Sequence, residues 1–144
     1  MRELPRKLSE EELAELFEGR TALVLRLAAL ADPLAQADAA IAGLSDAEKL
    51  EALDAHPRIG ARKLSTRSAA EQGAADPEVE AELDQLNRAY EERFGFRFVV
   101  FVNRRPRAEL VPVLRERLER GRDEELDTAL HELVAIARDR WSRG

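Results

Sequence analysis

Apolar residues recur along this chain three and four positions apart in short bursts separated by polar punctuation, the pattern of successive amphipathic helices rather than of strands. Ser9 with Glu12 makes an S-x-x-E capping box ahead of Leu13, Leu16 and Phe17, predicting a first helix over about residues 10 to 18, punctuated by Gly19. Thr21 to Ala31 is apolar at nearly every position apart from Arg26, which predicts a buried helix. Asp32-Pro33 reads as an N-cap with proline at the first helical position, opening a third helix that closes near Gly43. Ser45 with Glu48 repeats the capping box, and Leu50 and Leu53 supply the buried face of a helix ending near Ala55. Because the residue before a proline avoids the helical region, His56 is expected just beyond that helix, extended and aimed by its last turn.

From Arg58 to Arg67 the chain is polar and basic, broken by Gly60, and reads as a loop or a single irregular turn. Ser68 and Glu71 open another helical piece. Asp76-Pro77 begins the next, where Val79, Leu83, Leu86, Tyr90 and Phe94 share one face until Gly95 stops the helix. Phe96 to Val102, FRFVVFV, has the composition of a strand, yet no comparable segment exists to pair with it. A short extended, buried connector is expected. Its N–H and C=O groups must then find partners elsewhere, a polar ligand being one destination. Pro106 opens a helix carrying Leu110, Val113, Leu114 and Leu118 that ends before Gly121. The last helix, from about Asp123, presents Leu126, Leu130, Leu133, Val134, Ala137 and Trp141. On that helix Arg140 falls inside the apolar arc and Arg138 well outside it, so Arg140 needs an anionic partner. The fold class expected is all-α, one compact multi-helix domain over 1–144 of about seven to nine helices with one extended buried connector, without repeats.

Composition narrows the function. The 144 residues are 44% hydrophobic and 36% charged, with net charge -6, as in a soluble globular domain. An acidic chain lacks the basic face that phosphate neutralisation needs, so no nucleic-acid partner is expected. With no cysteine, disulfides, thiolate metal sites and cysteine nucleophiles drop out. Two histidines do not make a histidine-rich metal site, and there is no phosphate-binding glycine loop or nucleophile elbow. The N-terminus has no apolar signal region and no stretch is long enough to span a bilayer, so no membrane is expected and a cytoplasmic location is.

The candidate chemistry lies in a few polar residues. His56, with an ordinary pKa near 6.5, is suited to proton transfer at neutral pH, and equally to interacting with a helix C-terminus. Ser68-x-x-Glu71 is itself a capping box, and its helix N-terminus also suits a carboxylate or carbonyl oxygen. Gln72 adds a donor and an acceptor to the same turn. Arg140 either bridges to an acid on another helix or clamps a substrate carboxylate through its planar fork. His131 falls on the polar side of the last helix and reads as a surface residue; with alanine at 135, His131-Glu132 does not begin a zincin motif. The residues alone define a helical domain whose His56, Ser68, Glu71, Gln72 and Arg140 either form a cofactor-free site or cap the helices of a non-catalytic interaction module.

Taken in order, His56-Pro57-Arg58-Ile59-Gly60, Ser68-x-x-Glu71-Gln72, Leu86-Asn87-x-x-Tyr90, Arg93-Phe94-Gly95-Phe96-x-Phe98, Arg117-Leu118 and Ile136-Ala137-x-x-Arg140 resemble the OHCU decarboxylases. These enzymes act on 2-oxo-4-hydroxy-4-carboxy-5-ureidoimidazoline between urate and allantoin. The likeness is strongest over 45–141. It implies an all-α homodimer needing no metal or cofactor, with His56, Glu71 and Arg140 catalytic. It also implies that Pro57, Ser68, Ala69, Ala70 and Gln72 line the pocket. Backbone groups of Phe98, Val99, Val100, Phe101 and Val102 would face the small anionic ring. The chain departs from the family pattern in two places: no Ser-Pro-Trp element occurs around Glu18 to Leu25, and Arg97 stands where a proline is usual. A related carboxylated ureide or heterocycle is therefore the alternative substrate.

Overall fold

The computed structural model describes residues 7–56, 77–103 and 105–143. Seven helices and no strand occur among them: α1 (Glu10–Phe17), α2 (Ala22–Ala28), α3 (Ala37–Ala42), α4 (Asp46–Asp54), α5 (Pro77–Phe94), α6 (Arg107–Leu118) and α7 (Arg122–Arg143). The capping boxes at Ser9 and Ser45 form, and the one expected at Ser68 lies outside the described residues. Ser9 Oγ accepts from the Glu12 N–H at 3.1 Å while Glu12 Oε1 accepts from the Ser9 N–H at 3.0 Å, and Ser45 and Glu48 repeat the exchange. Each satisfies two donors that a helix start leaves orphaned.

Two expectations about the early helices need correcting. The second helix is shorter than its apolar run, since only Ala22–Ala28 is helical and Leu25 is 53% exposed. Its start is held by Thr21, whose hydroxyl accepts from Val24, and by Glu51 of α4, which accepts from the Ala22 N–H at 2.7 Å. The third helix does not start at Asp32-Pro33. A single helical turn forms there, with the Gln36 N–H donating to the Asp32 carbonyl, and its continuation is intercepted. Regular helix would offer the Leu34 carbonyl to the N–H four residues on; instead Arg138 of α7 donates to it through Nε at 3.0 Å and Nη2 at 2.7 Å. Arg138, read as lying on the polar side, thereby ties the turn before α3 to the last helix.

α7 contacts α1, α3 and α4, while α5 packs along α6. Between α5 and α6 runs the connector, with Phe96, Phe98, Val99, Val100 and Val102 buried and Phe101 half-buried. It joins no sheet ladder. Side chains satisfy its backbone instead: Arg117 donates to the Val99 carbonyl at 2.7 Å, and Arg105 donates to those of Phe101 and Val102. Below it, the Tyr90 ring meets Phe94, Phe96 and Phe98 at centroid distances of 4.7, 5.8 and 5.2 Å, and the Arg117 guanidinium lies 4.6 Å over Phe98. No described helix is long and apolar enough to cross a membrane.

Candidate functional site

His56 directly follows the end of α4, its N–H donating to the Leu53 carbonyl at 3.1 Å, and the side chain is only 8% exposed. Of the imidazole, Nδ1 is buried and makes no hydrogen bond among the described residues. Burial pushes the ring's pKa down to about 4, helped by the positive charge of Arg140 and then of Arg97, with Glu18 opposing them. At neutral pH the ring is therefore uncharged. It has no charge to offer a helix dipole.

Arg140 is 1% exposed, as its place in the apolar arc of α7 requires. Its Nη1 donates to the Leu16 carbonyl at 2.9 Å and pairs with Glu18 Oε1 at 3.0 Å. Glu18 is unusual in its own right. It ends α1 with φ +66°, the left-handed region that costs a residue bearing a Cβ about 1 kcal/mol or more. It is also an acid at a helix C-terminus, where the dipole disfavours negative charge. Arg140 compensates the second penalty and gives the residue its reason to be there. An acid at the end of a helix, just before Gly19, is the only local signal the sequence offered, and it does not say which cation meets it.

The uncharged His56 ring thus lies in the field of Arg140, Glu18 and Arg97, of which Glu18 and Arg97 were not among the site residues expected from the sequence. Pro57, Ser68, Ala69, Ala70, Glu71 and Gln72 lie outside the described residues. On the connector, the side chains of Phe98, Val99, Val100 and Val102 belong to the core, and the carbonyls of Val99, Phe101 and Val102 already accept from arginines. The Phe101 N–H reaches Glu132 at 3.4 Å. His131 is exposed, 49% by side chain, and sits near Asp38 and Asp127, as a surface residue should.

A second buried polar group lies beneath the connector. Arg117, 5% exposed, and Glu125, fully buried, form an ion pair, and the Tyr90 hydroxyl donates to the same Glu125 oxygen at 2.7 Å. The signal existed, because Arg117 follows Leu110 and Leu114 at helical spacing just as Arg140 follows Leu133 and Ala137. This group serves the connector from beneath. Burial together with Glu125 holds the Tyr90 hydroxyl protonated far above the ordinary phenol range. Among the described residues no group of His, Cys, Asp and Glu is arranged to hold a metal ion.

Fold and site together define an all-α domain that keeps an uncharged imidazole buried under the influence of a buried, paired guanidinium. Comparison with known proteins makes the class particular. The OHCU decarboxylase family model matches residues 2–142, and the chain belongs to that family. Over 98 residues it is 35% identical to the uric acid degradation bifunctional protein PucL of Bacillus subtilis, covering 64% of this chain and 20% of that protein. It is 34% identical over 99 residues to the 2-oxo-4-hydroxy-4-carboxy-5-ureidoimidazoline decarboxylase of Halalkalicoccus jeotgali, covering 65% of this chain and 56% of that one. The matches thus span less than two thirds of these relatives. A crystal structure of OHCU decarboxylase in the presence of (S)-allantoin superimposes with a TM-score of 0.77 at 23% identity, covering 92% of this chain and 96% of that one. An (S)-allantoin synthase structure gives 0.69 at 21% identity over 91% of this chain and 47% of that one. At such identities these two speak to the fold.

Proposed function

We propose that this protein decarboxylates 2-oxo-4-hydroxy-4-carboxy-5-ureidoimidazoline to (S)-allantoin, as a step of urate breakdown. The observation that carries the reading, in a member of this family, is the buried, uncharged His56 beside the paired Arg140. In the substrate the carboxylate sits on a carbon next to a ring C=N. When the bond to the carboxylate breaks and CO2 leaves, the electron pair forms a double bond to the neighbouring carbon, and the imine π electrons move onto nitrogen, which takes a proton. The product of that step is an enol. Its hydroxyl proton must leave and the ureido-bearing carbon must gain one, from one face only, to fix the S configuration.

A neutral imidazole suits the second half: it accepts the hydroxyl proton and, as imidazolium, delivers a proton to the adjacent carbon. Arg140 anchors the anion, its plane set by Glu18 and the Leu16 carbonyl at Nη1, despite the protein's negative net charge. Glu71 orients the hydroxyl or ureido group in this reading, and Pro57, Ser68, Ala69, Ala70 and Gln72 shape the pocket. From Phe98 to Val102 the backbone contribution narrows to groups other than those engaged by Arg105, Arg117 and Glu132. The electron sink is the substrate's own imine, so the scheme needs no cofactor. What the protein supplies is orientation and a site closed to water.

The test generates the intermediate with urate oxidase and a hydrolase and follows the circular dichroism of (S)-allantoin. The wild type is expected to accelerate its appearance, and His56→Ala to lose most of that acceleration, about a hundredfold or more. No acceleration by the wild type over spontaneous decay sinks the reading. The family resemblance also supports a homodimer, and light scattering that returns a monomer mass at micromolar concentration removes that part.

A further inference from the structure

A helix C-terminus leaves its last carbonyls without intrahelical partners, and a nearby cation stabilises it. α4 has no basic residue in its last turn. The carbonyl just beyond it, that of His56, is reached by a guanidinium from elsewhere: Arg97 Nη1 donates to it at 3.0 Å. The local chain explains the reach. Gly95 leaves α5 at φ +80°, where glycine alone pays no steric penalty, and the extended run that follows alternates its side chains. Phe96 and Phe98 enter the core at 2% exposure each, so Arg97 between them is turned to the opposite side, where it is half-buried. There it lines a shallow cleft with Asp54, Glu91, Gly95 and Phe96.

We propose that Arg97 is a positioning residue for His56: by holding the His56 carbonyl it fixes the junction of α4 with the connector, and with it the placement of the imidazole beside Arg140. The proposal deepens the decarboxylase reading and rests on His56 as its proton carrier. Arg97 acts through the backbone of His56 and through charge. Among the described residues, the charged groups acting on the ring are Arg140 from α7, Glu18 from the end of α1 and Arg97 from the connector. The two arginines disfavour imidazolium and Glu18 favours it. A guanidinium grips with a planar fork whereas an ammonium is a point charge on a flexible stem, so two variants separate geometry from charge.

Turnover is followed by the circular dichroism of (S)-allantoin, and the His56 ring is titrated by proton NMR, where His131 is the only other histidine. Arg97→Gln is expected to lower kcat about tenfold with KM little changed, and to move the His56 midpoint up from about 4 towards the ordinary histidine value. Arg97→Lys keeps the charge, so the midpoint stays low while kcat recovers only in part. Wild-type kcat in Arg97→Gln, or an unmoved His56 midpoint, overturns the proposal. Should Arg97→Gln fail to fold, Arg97→Lys decides: reduced kcat with a low midpoint supports the role, and wild-type kcat removes it. If the wild type itself does not accelerate the reaction, the decarboxylase reading falls. Arg97→Lys, which keeps the charge, then decides whether Arg97 holds His56: a displaced His56 ring resonance with a midpoint still low supports the hold, and a wild-type resonance overturns it.

Discussion

At the scale of single residues, the informative feature is what the protein does to His56. The unfolded chain binds a proton on this ring below about 6.5, the native protein only below about 4. Between those values the unfolded state holds more protons, so stability must rise with pH across that window. His56 leaves the fold undisturbed above about pH 6.5 and costs stability progressively as pH falls to about 4, by roughly 3 kcal/mol at the bottom. Urea unfolding at pH 7 and pH 4.5 checks this. The wild type should lose more stability between the two than His56→Gln, and parallel losses would show that the buried ring is not responsible. The place of His56 just beyond α4 was legible from the sequence because its position before Pro57 and after a helix could be read locally. Its uncharged state could not, because that depends on burial and on Arg140 and Arg97.

At the scale of elements, the connector shows how an unpaired extended segment survives in a helical protein. Its side chains supply core surface while arginines from α6 and the turn before it satisfy its carbonyls. Arg117 does this from inside a buried pair with Glu125. Removing one member of such a pair strands the other charge and costs about 3 to 5 kcal/mol, whereas replacing both with apolar residues of similar volume costs much less. Arg117→Met and Glu125→Leu are each expected to destabilise by about that amount, and the double variant by clearly less than the sum. Additive losses in a double-mutant cycle would mean the pair does not behave as a unit. The failed start of α3 carries the same lesson in reverse. Asp32-Pro33 has correct local chemistry for a helix start, but Arg138, far along the chain, takes the Leu34 carbonyl that the helix needed.

At the scale of the whole molecule, α7 acts as the strut against which α1, α3 and α4 pack, and Arg140 joins residues 124 apart in sequence by donating to Leu16. The all-α class, the capping boxes at Ser9 and Ser45, the long faces of α5 and α7, the unpaired connector and the burial of Arg140 were determined by the sequence itself. Helical periodicity and caps are set by residues within a turn or two of one another, and a charged residue in an apolar arc announces its burial wherever the helix docks. Only the tertiary structure decided the partners: Glu18 for Arg140, Arg97 for the His56 carbonyl, Glu125 for Arg117, Arg138 for Leu34. Those pairings arise between elements distant in the chain. Periodicity can say that a charge must be met, but only the packing of helices selects the residue that meets it.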